Sequence, residues 1–311
     1  MPCWINLSGC KDGLRNIAII TDDPGWHGKQ LCRAFAGRGC QAVYVSLTDC
    51  RLQINETALP VFMPGFEQAL PAAVFVRGVP GGSLEEVVFY LDVLHALKMM
   101  GVPVYNDARA IELSVDKAMT SFLLHKAGIA TPMTWVLRDR EAALALVEQQ
   151  LEQGYYLISK PLFGSQGEGI HRLEKSTDLL WLTSSHGIYY LQRFIECNGE
   201  GFSDIRVFVI NGRAVAAMRR RGISWLNNVA RGASCEAVEL DDALRELAIT
   251  AVGLLNMDYA GVDIIQDSTG RYVVIEINSV PAWKGLQSVC AVDLASCLVN
   301  DLIDRYGLGC D

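Results

Sequence analysis

The sequence predicts an open α/β domain followed by two α+β lobes, and three observations carry that reading. Short apolar runs alternate with helix-like stretches over the first hundred or so residues. From about residue 108, helices followed by hairpin-like strand pairs take over. The chain's 311 residues also exceed the roughly 250–300 that one hydrophobic core organises. The expected division is an α/β domain over 1–107, a first lobe over 108–195 and a second over 196–311.

Taken in order, the apolar run 16–20 is followed by the turn-rich Thr21-Asp22-Asp23-Pro24-Gly25, a helix-like stretch over 29–38 and a strand over 42–45, which together make a βαβ unit. A strand over 73–77 leads through Gly81-Gly82-Ser83 into a helix over 84–100, and 102–105 begins the next strand. Beyond the change of pattern, 116–126 and 141–153 read as helices, and 134–137 and 155–160 as strands. Asn211-Gly212, a dipeptide favoured in tight turns, joins strands over 205–210 and 214–218 into a hairpin. A helix over 240–255 precedes a second strand pair, 261–266 and 272–277. The sequence contains no internal repeat, low-complexity tract or disordered linker.

Half of the residues are hydrophobic and a fifth are charged, with no segment near the roughly 18–20 uninterrupted apolar residues of a membrane helix. A soluble protein without a membrane partner is expected. The start, Met1-Pro2-Cys3-Trp4, lacks the features of a secretory signal, so the expected location is cytoplasmic. A net charge of -8 argues against broad binding to nucleic acid. The ten cysteines lack zinc-like or redox-pair spacing and read mostly as small buried hydrophobes.

Three segments carry chemistry. The first, Ser159-Lys160-Pro161-Leu162-Phe163-Gly164-Ser165-Gln166-Gly167-Glu168-Gly169, is a strand ending in lysine and then a glycine-rich loop. Glycines let backbone N–H groups approach anionic oxygens while the lysine supplies charge, although a flexible hairpin would look the same. In the second, Glu276 and Asn278 share one face by strand alternation and Asp263 on the partner strand can join them. These hard oxygen donors suit Mg²⁺ better than a merely solvated charged face. The third is the basic group Arg219-Arg220-Arg221 with Trp225, Asn227-Asn228 and Arg231. Alternation puts Arg220 on the face opposite Arg219 and Arg221, and Arg220 is expected to serve a charged intermediate rather than stability.

With these motifs in this order, the chain resembles the ATP-grasp proteins of the ribosomal protein S6 glutamate ligase and α-L-glutamate ligase group. The resemblance is sharpest in Asp116-Lys117, the segment 160–169, Tyr190-Leu191-Gln192-Arg193-Phe194-Ile195, Ser203-Asp204-Ile205-Arg206, and the segments 228–232, 260–264 and 276–281. It implies an N-terminal α/β domain and two lobes that grip ATP. It places Lys117 and Lys160 on the phosphates, Gln192, Arg193 and Phe194 at a hinge beside adenine, and Asp204 on the ribose. Gly164, Gly167 and Gly169 belong to a closing loop, and Asp263, Glu276 and Asn278 match magnesium ligands. Arg206, Arg220, Asn228 and Arg231 match positions near phosphate or the activated substrate. Two departures bear on specificity: Arg193 stands where relatives often carry an acidic residue, and Leu226 where an arginine is expected.

The implied reaction is ATP- and Mg-dependent ligation of a carboxylate to an amine through an acyl phosphate, with manganese as the alternative ion. The amino acid implied is L-glutamate, and the acceptor a peptide, a protein or a pterin or furan cofactor. A homo-oligomer is left open. An ATP-grasp small-molecule kinase and a non-catalytic nucleotide-binding regulator stand as alternatives, and the intact set Lys117, Lys160, Asp263, Glu276 and Asn278 weighs against the regulator.

Overall fold

In the computed structural model the described residues are all but 1–14, 56–58, 165–166, 181, 183–186, 198–201, 223, 226–231 and 310–311. The chain forms two compact units, one from Met1–Arg109, Ala282–Gln287 and Ala291–Asp311, the other from Ala110–Pro281 and Ser288–Cys290.

The first unit begins β1 (Arg15–Ile20), α1 (Gly25–Gly37), β2 (Cys40–Val45), β3 (Arg51–Leu52), β4 (Val61–Phe62), β5 (Ala73–Val76), α2 (Leu84–Met99) and β6 (Val104–Tyr105). Four of these strands make a parallel sheet in the order β2-β1-β5-β6, while β3 and β4 pair apart. Ile17 to Ile20 and Ala73 to Val76 are wholly buried, which explains why they read as continuous apolar runs. A capping box starts α2: Ser83 accepts from the Glu86 N–H and the Glu86 side chain accepts from the Ser83 N–H. Helix α1 begins at Gly25, four residues before the sequence expectation. Pro24, at φ −58° and ψ −41°, already holds the helical conformation at its entry.

The helix α3 (Ala108–Val115) leads into the second unit, followed by α4 (Lys117–Lys126), β7 (Thr134–Leu137), α5 (Arg140–Glu152), β8 (Leu157–Lys160), β9 (His171–Leu173), α6 (Ser176–Leu180) and β10 (Tyr189–Arg193). Its first sheet is antiparallel, β7-β10-β8-β9. Ala143 and Val147 of α5 and Leu179 of α6 share a core with Leu157, Leu173 and Leu191 of that sheet. The chain continues through β11 (Phe202–Ile210), β12 (Arg213–Gly222), β13 (Ser234–Ala237), α7 (Asp242–Leu254), β14 (Tyr259–Gln266) and β15 (Tyr272–Asn278). These strands form a second antiparallel sheet, β13-β12-β11-β14-β15. Asn211 and Gly212 both have positive φ, 48° and 65°, so the turn predicted between β11 and β12 is present. Ile205, Val207, Val209, Val262, Ile264 and Val274 form a core with Leu244, Ala248 and Val252 of α7, which leaves the opposite face of this sheet for polar residues.

The chain returns to the first unit through α8 (Lys284–Gln287) and α9 (Leu294–Arg305). The expected second lobe over 196–311 therefore gives up its C-terminal segment. Leu294, Leu298, Val299, Leu302 and Ile303 are buried, and α9 packs on α1. Arg38 reaches Asn300 and Asp304, and Tyr105 donates to Asp301 at 2.8 Å. The seven described cysteines are free thiols, but only Cys40 and Cys50 are buried and the other five are partly exposed.

Candidate active site

The polar face of the second sheet is built by register. Asp204 on β11 lies opposite Arg220 on β12, Arg206 lies opposite Asp263 on β14, and Asp263 lies opposite Glu276 on β15. A β-bulge between Asp263 and Ile264 opposes the pair Val274 and Glu276 to consecutive β14 residues, with Ile275 left between them. Val274 and Ile277 accordingly enter the core.

These side chains form one buried ionic network. Arg206 forks onto Asp263, with Nε on Oδ1 and Nη2 on Oδ2, both at 2.7 Å. Arg220 forks onto Asp204 and also places Nη2 3.0 Å from Asp263 Oδ2. Asn278 Nδ2 lies 3.4 Å from the same oxygen. Burial opposes ionisation of Asp263, but Arg206 and then Arg220 outweigh it and hold its pKa at about 2. Arg220 is 4 % exposed, and Asp263 and Asp204 raise its pKa against the opposing effect of burial. Gly261 makes room for this arrangement, since a Cβ there would sit 2.9 Å from Pro281 Cβ and 3.5 Å from Arg206 Cδ.

The expectation that Arg220 serves chemistry apart from stability needs correction, because a guanidinium bridging two buried carboxylates is also a structural tie. Alternation did separate the three arginines. Arg221 is exposed and pairs with Glu236 at 3.0 Å, and Arg219 reaches Ser203 Oγ at 3.5 Å.

Beside the sheet lies a cavity lined by Lys117, Lys160, Pro161, Gly164, Tyr190 and Glu276, among others. Lys160 Nζ donates to Gln192 Oε1 at 2.7 Å, and Lys117 Nζ to the Gly164 carbonyl at 2.8 Å. Burial lowers the pKa of Lys160 to about 8 and acts against the attraction of Glu276. Burial also lowers that of Lys117, again opposed by Glu276. Gly164, Gly167 and Gly169 have φ of 143°, 76° and 68°, values that L side chains rarely adopt. The loop residues Ser165 and Gln166 lie outside the described residues, as do Asn228 and Arg231.

The three expected hinge residues point in different directions. Gln192 is 1 % exposed and spends its amide N–H groups on Thr134 and Tyr190, each at 3.1 Å. Arg193 donates to Gln150 at 2.8 Å and stacks on Tyr155 at 3.6 Å. Phe194 lies 4.3 Å from the Arg172 guanidinium, which also stacks on Tyr156, and meets Trp225 edge-on. Sequence reasoning passed over Arg172, Thr120 and Ser121, and quoted Tyr190 within its segment without giving it a role. Tyr190 is two residues from Gln192 on one strand face, and Thr120 and Ser121 are one helical turn beyond Lys117, so period alone could have found them.

Asp263, Glu276 and Asn278 offer two carboxylates and an amide oxygen, a hard-oxygen set compatible with Mg²⁺. Among the described residues no group of three or more His, Cys, Asp and Glu could hold a metal. A magnesium ion on this set would therefore take further oxygens from water or from a phosphate.

Residues 114–302 match the RimK-like ATP-grasp domain, and residues 15–111 match the RimK pre-ATP-grasp domain. The chain is 35 % identical over 237 residues to a tetrahydromethanopterin:alpha-L-glutamate ligase of Methanocaldococcus jannaschii (strain ATCC 43067 / DSM 2661 / JAL-1 / JCM 10045 / NBRC 100440), covering 74 % of this chain and 78 % of that protein. It is 29 % identical over 295 residues to a probable alpha-L-glutamate ligase of Aeromonas salmonicida (strain A449), covering 92 % and 95 %. Among solved structures, the ATP-grasp ligase PsnB complexed with minimal precursor superposes with a TM-score of 0.72 at 22 % identity, over 94 % of this chain and 99 % of that one, a likeness of fold. The chain belongs to the RimK-like ATP-grasp family and is an ATP-dependent ligase.

Proposed function

We propose that the chain joins L-glutamate through its amino group to a carboxylate of a peptide, a protein or a glutamate-bearing cofactor, after ATP has converted that carboxylate to an acyl phosphate. The observation that carries this reading is the convergence of Lys117, Lys160 and Glu276 on one cavity, with Glu276 in register beside Asp263 in the buried arginine network. Lys117 and Lys160 hold the phosphates. Asp263, Glu276 and Asn278 hold magnesium, with manganese as an alternative, and the ion supplies Lewis-acid compensation of phosphate charge when bound. Arg206 and Arg220, with Asn228 and Arg231, offset charge on the transferring phosphoryl group and on the activated carboxyl. Gly164, Gly167 and Gly169 let the loop after β8 shield the acyl phosphate from water. Phe194 and its neighbours Gln192 and Arg193 border the base, and Asp204 approaches the ribose.

No enzyme nucleophile is needed, since positioning and electrostatics suffice for phosphoryl transfer followed by attack of the amine. The glutamate ligases among the relatives support the amino acid, and the archaeal relative's name gives tetrahydromethanopterin as its acceptor while the bacterial relative's name gives none. Mass spectrometry of full-length protein with ATP, magnesium, L-glutamate and separate pools of peptides and folate-type cofactors tests the assignment. The expected product is an acceptor heavier by one or more glutamate residues. ADP release with a phosphorylated acceptor and no glutamate gain would contradict it.

A further inference from the structure

Arg206 and Arg220 share Asp263 but are held very differently. Arg220 is buried and forked onto Asp204 as well, so it has a second anchor. Every hydrogen bond described for the Arg206 guanidinium goes to Asp263. Its stem passes over Gly261, where the missing side chain leaves a bare strip of backbone. Asp263 meanwhile has both oxygens occupied, Oδ1 by Arg206 Nε and Oδ2 by Arg206, Arg220 and Asn278. Arg206 thus sits on both of the oxygens that a metal on this carboxylate would use.

The charges explain when Arg206 can leave. Asp204 and Asp263 balance Arg206 and Arg220, and Glu276 faces Lys117 and Lys160. A bare divalent ion adds two positive charges to a set in which four cations already face three carboxylates. The same ion carried on a polyphosphate brings net negative charge, and with it a new acceptor for a displaced guanidinium.

We propose that Arg206 is an exchangeable counter-ion of Asp263, which it covers until metal arrives with nucleotide and then leaves for the phosphate oxygens. The proposal rests on the assignment of Asp263, Glu276 and Asn278 as metal ligands. It makes metal and nucleotide binding mutually dependent, and a coupling of this kind is commonly 5–150-fold.

The test is Mn²⁺ binding to the full chain, read by electron paramagnetic resonance without turnover, with and without a non-hydrolysable ATP analogue. The wild type should bind Mn²⁺ weakly alone and much more tightly with nucleotide. Arg206→Gln should tighten nucleotide-free binding by about tenfold and shrink the nucleotide effect by a similar factor. Arg206→Lys keeps the charge but not the fork, so it should shift both in the same direction by less, and it serves if the glutamine variant fails to fold. Unchanged or weaker nucleotide-free affinity in the folded variants overturns the proposal, provided Glu276→Gln still abolishes nucleotide-linked Mn²⁺ binding. Undiminished Mn²⁺ binding in Glu276→Gln overturns the metal assignment itself, and the counter-ion role with it.

Discussion

Lys160 stands between two carboxylates that favour its charge and a buried setting that opposes it, and the setting prevails, with a pKa of about 8 instead of 10.5. If the ammonium grips phosphate, ATP affinity measured by calorimetry should fall as pH rises through about 8, by up to about tenfold per unit. The stability of the nucleotide-free protein should move the other way. Between about 8 and 10.5 the unfolded lysine holds a proton that the folded one has released, so stability rises with pH across that window and is insensitive to this group below it. Lys160→Met should abolish both trends, and an ATP affinity without pH dependence near 8 in the wild type would refute the role. The place of Lys160 beside a glycine loop at the cavity was legible from its position in the sequence. Its hydrogen bond to Gln192 was not, because that contact joins residues 32 apart across a strand pair.

On the scale of single elements, β12 displays its arginines on alternate faces with unequal burial, and this is where two substitutions diverge. Arg220→Lys should lower turnover at least tenfold and destabilise the fold by about 2 kcal/mol, because an ammonium cannot fork onto Asp204 while reaching Asp263. Arg221→Lys, on an exposed pair with Glu236, should change stability by under about 0.5 kcal/mol and leave turnover intact. Steady-state ADP release together with thermal melts checks this, and equal damage from both substitutions would contradict it. The period-2 pattern of β12 and the turn residues Asn211 and Gly212 made this hairpin readable in advance. The short strands β9 and β13 carry too few residues to show a period. Helix α9, with its apolar face and Asp293 cap, was readable but was passed over.

For the whole molecule, the sequence disclosed the change from a parallel to an antiparallel architecture near residue 108, but not the return of 291–311 to the first unit. Strand and helix patterns report which face of an element is apolar, whereas the partner of that face is fixed by packing between segments far apart in the chain. The juxtaposition of Arg206, Asp263 and Glu276 in the second unit, by contrast, was legible because these residues lie on adjacent strands, where local alternation sets the geometry. That geometry serves a central chemical claim, that ATP activates the acceptor carboxylate by phosphorylating it. The most direct measurement uses an acceptor whose carboxylate carries ¹⁸O at both oxygens. Phosphorylation makes one labelled oxygen the bridge to phosphorus, and attack by the glutamate amine at the carbonyl carbon expels that oxygen with inorganic phosphate. One ¹⁸O is expected in the released phosphate for each amide bond formed, and phosphate without label, or label in AMP, would contradict activation through an acyl phosphate.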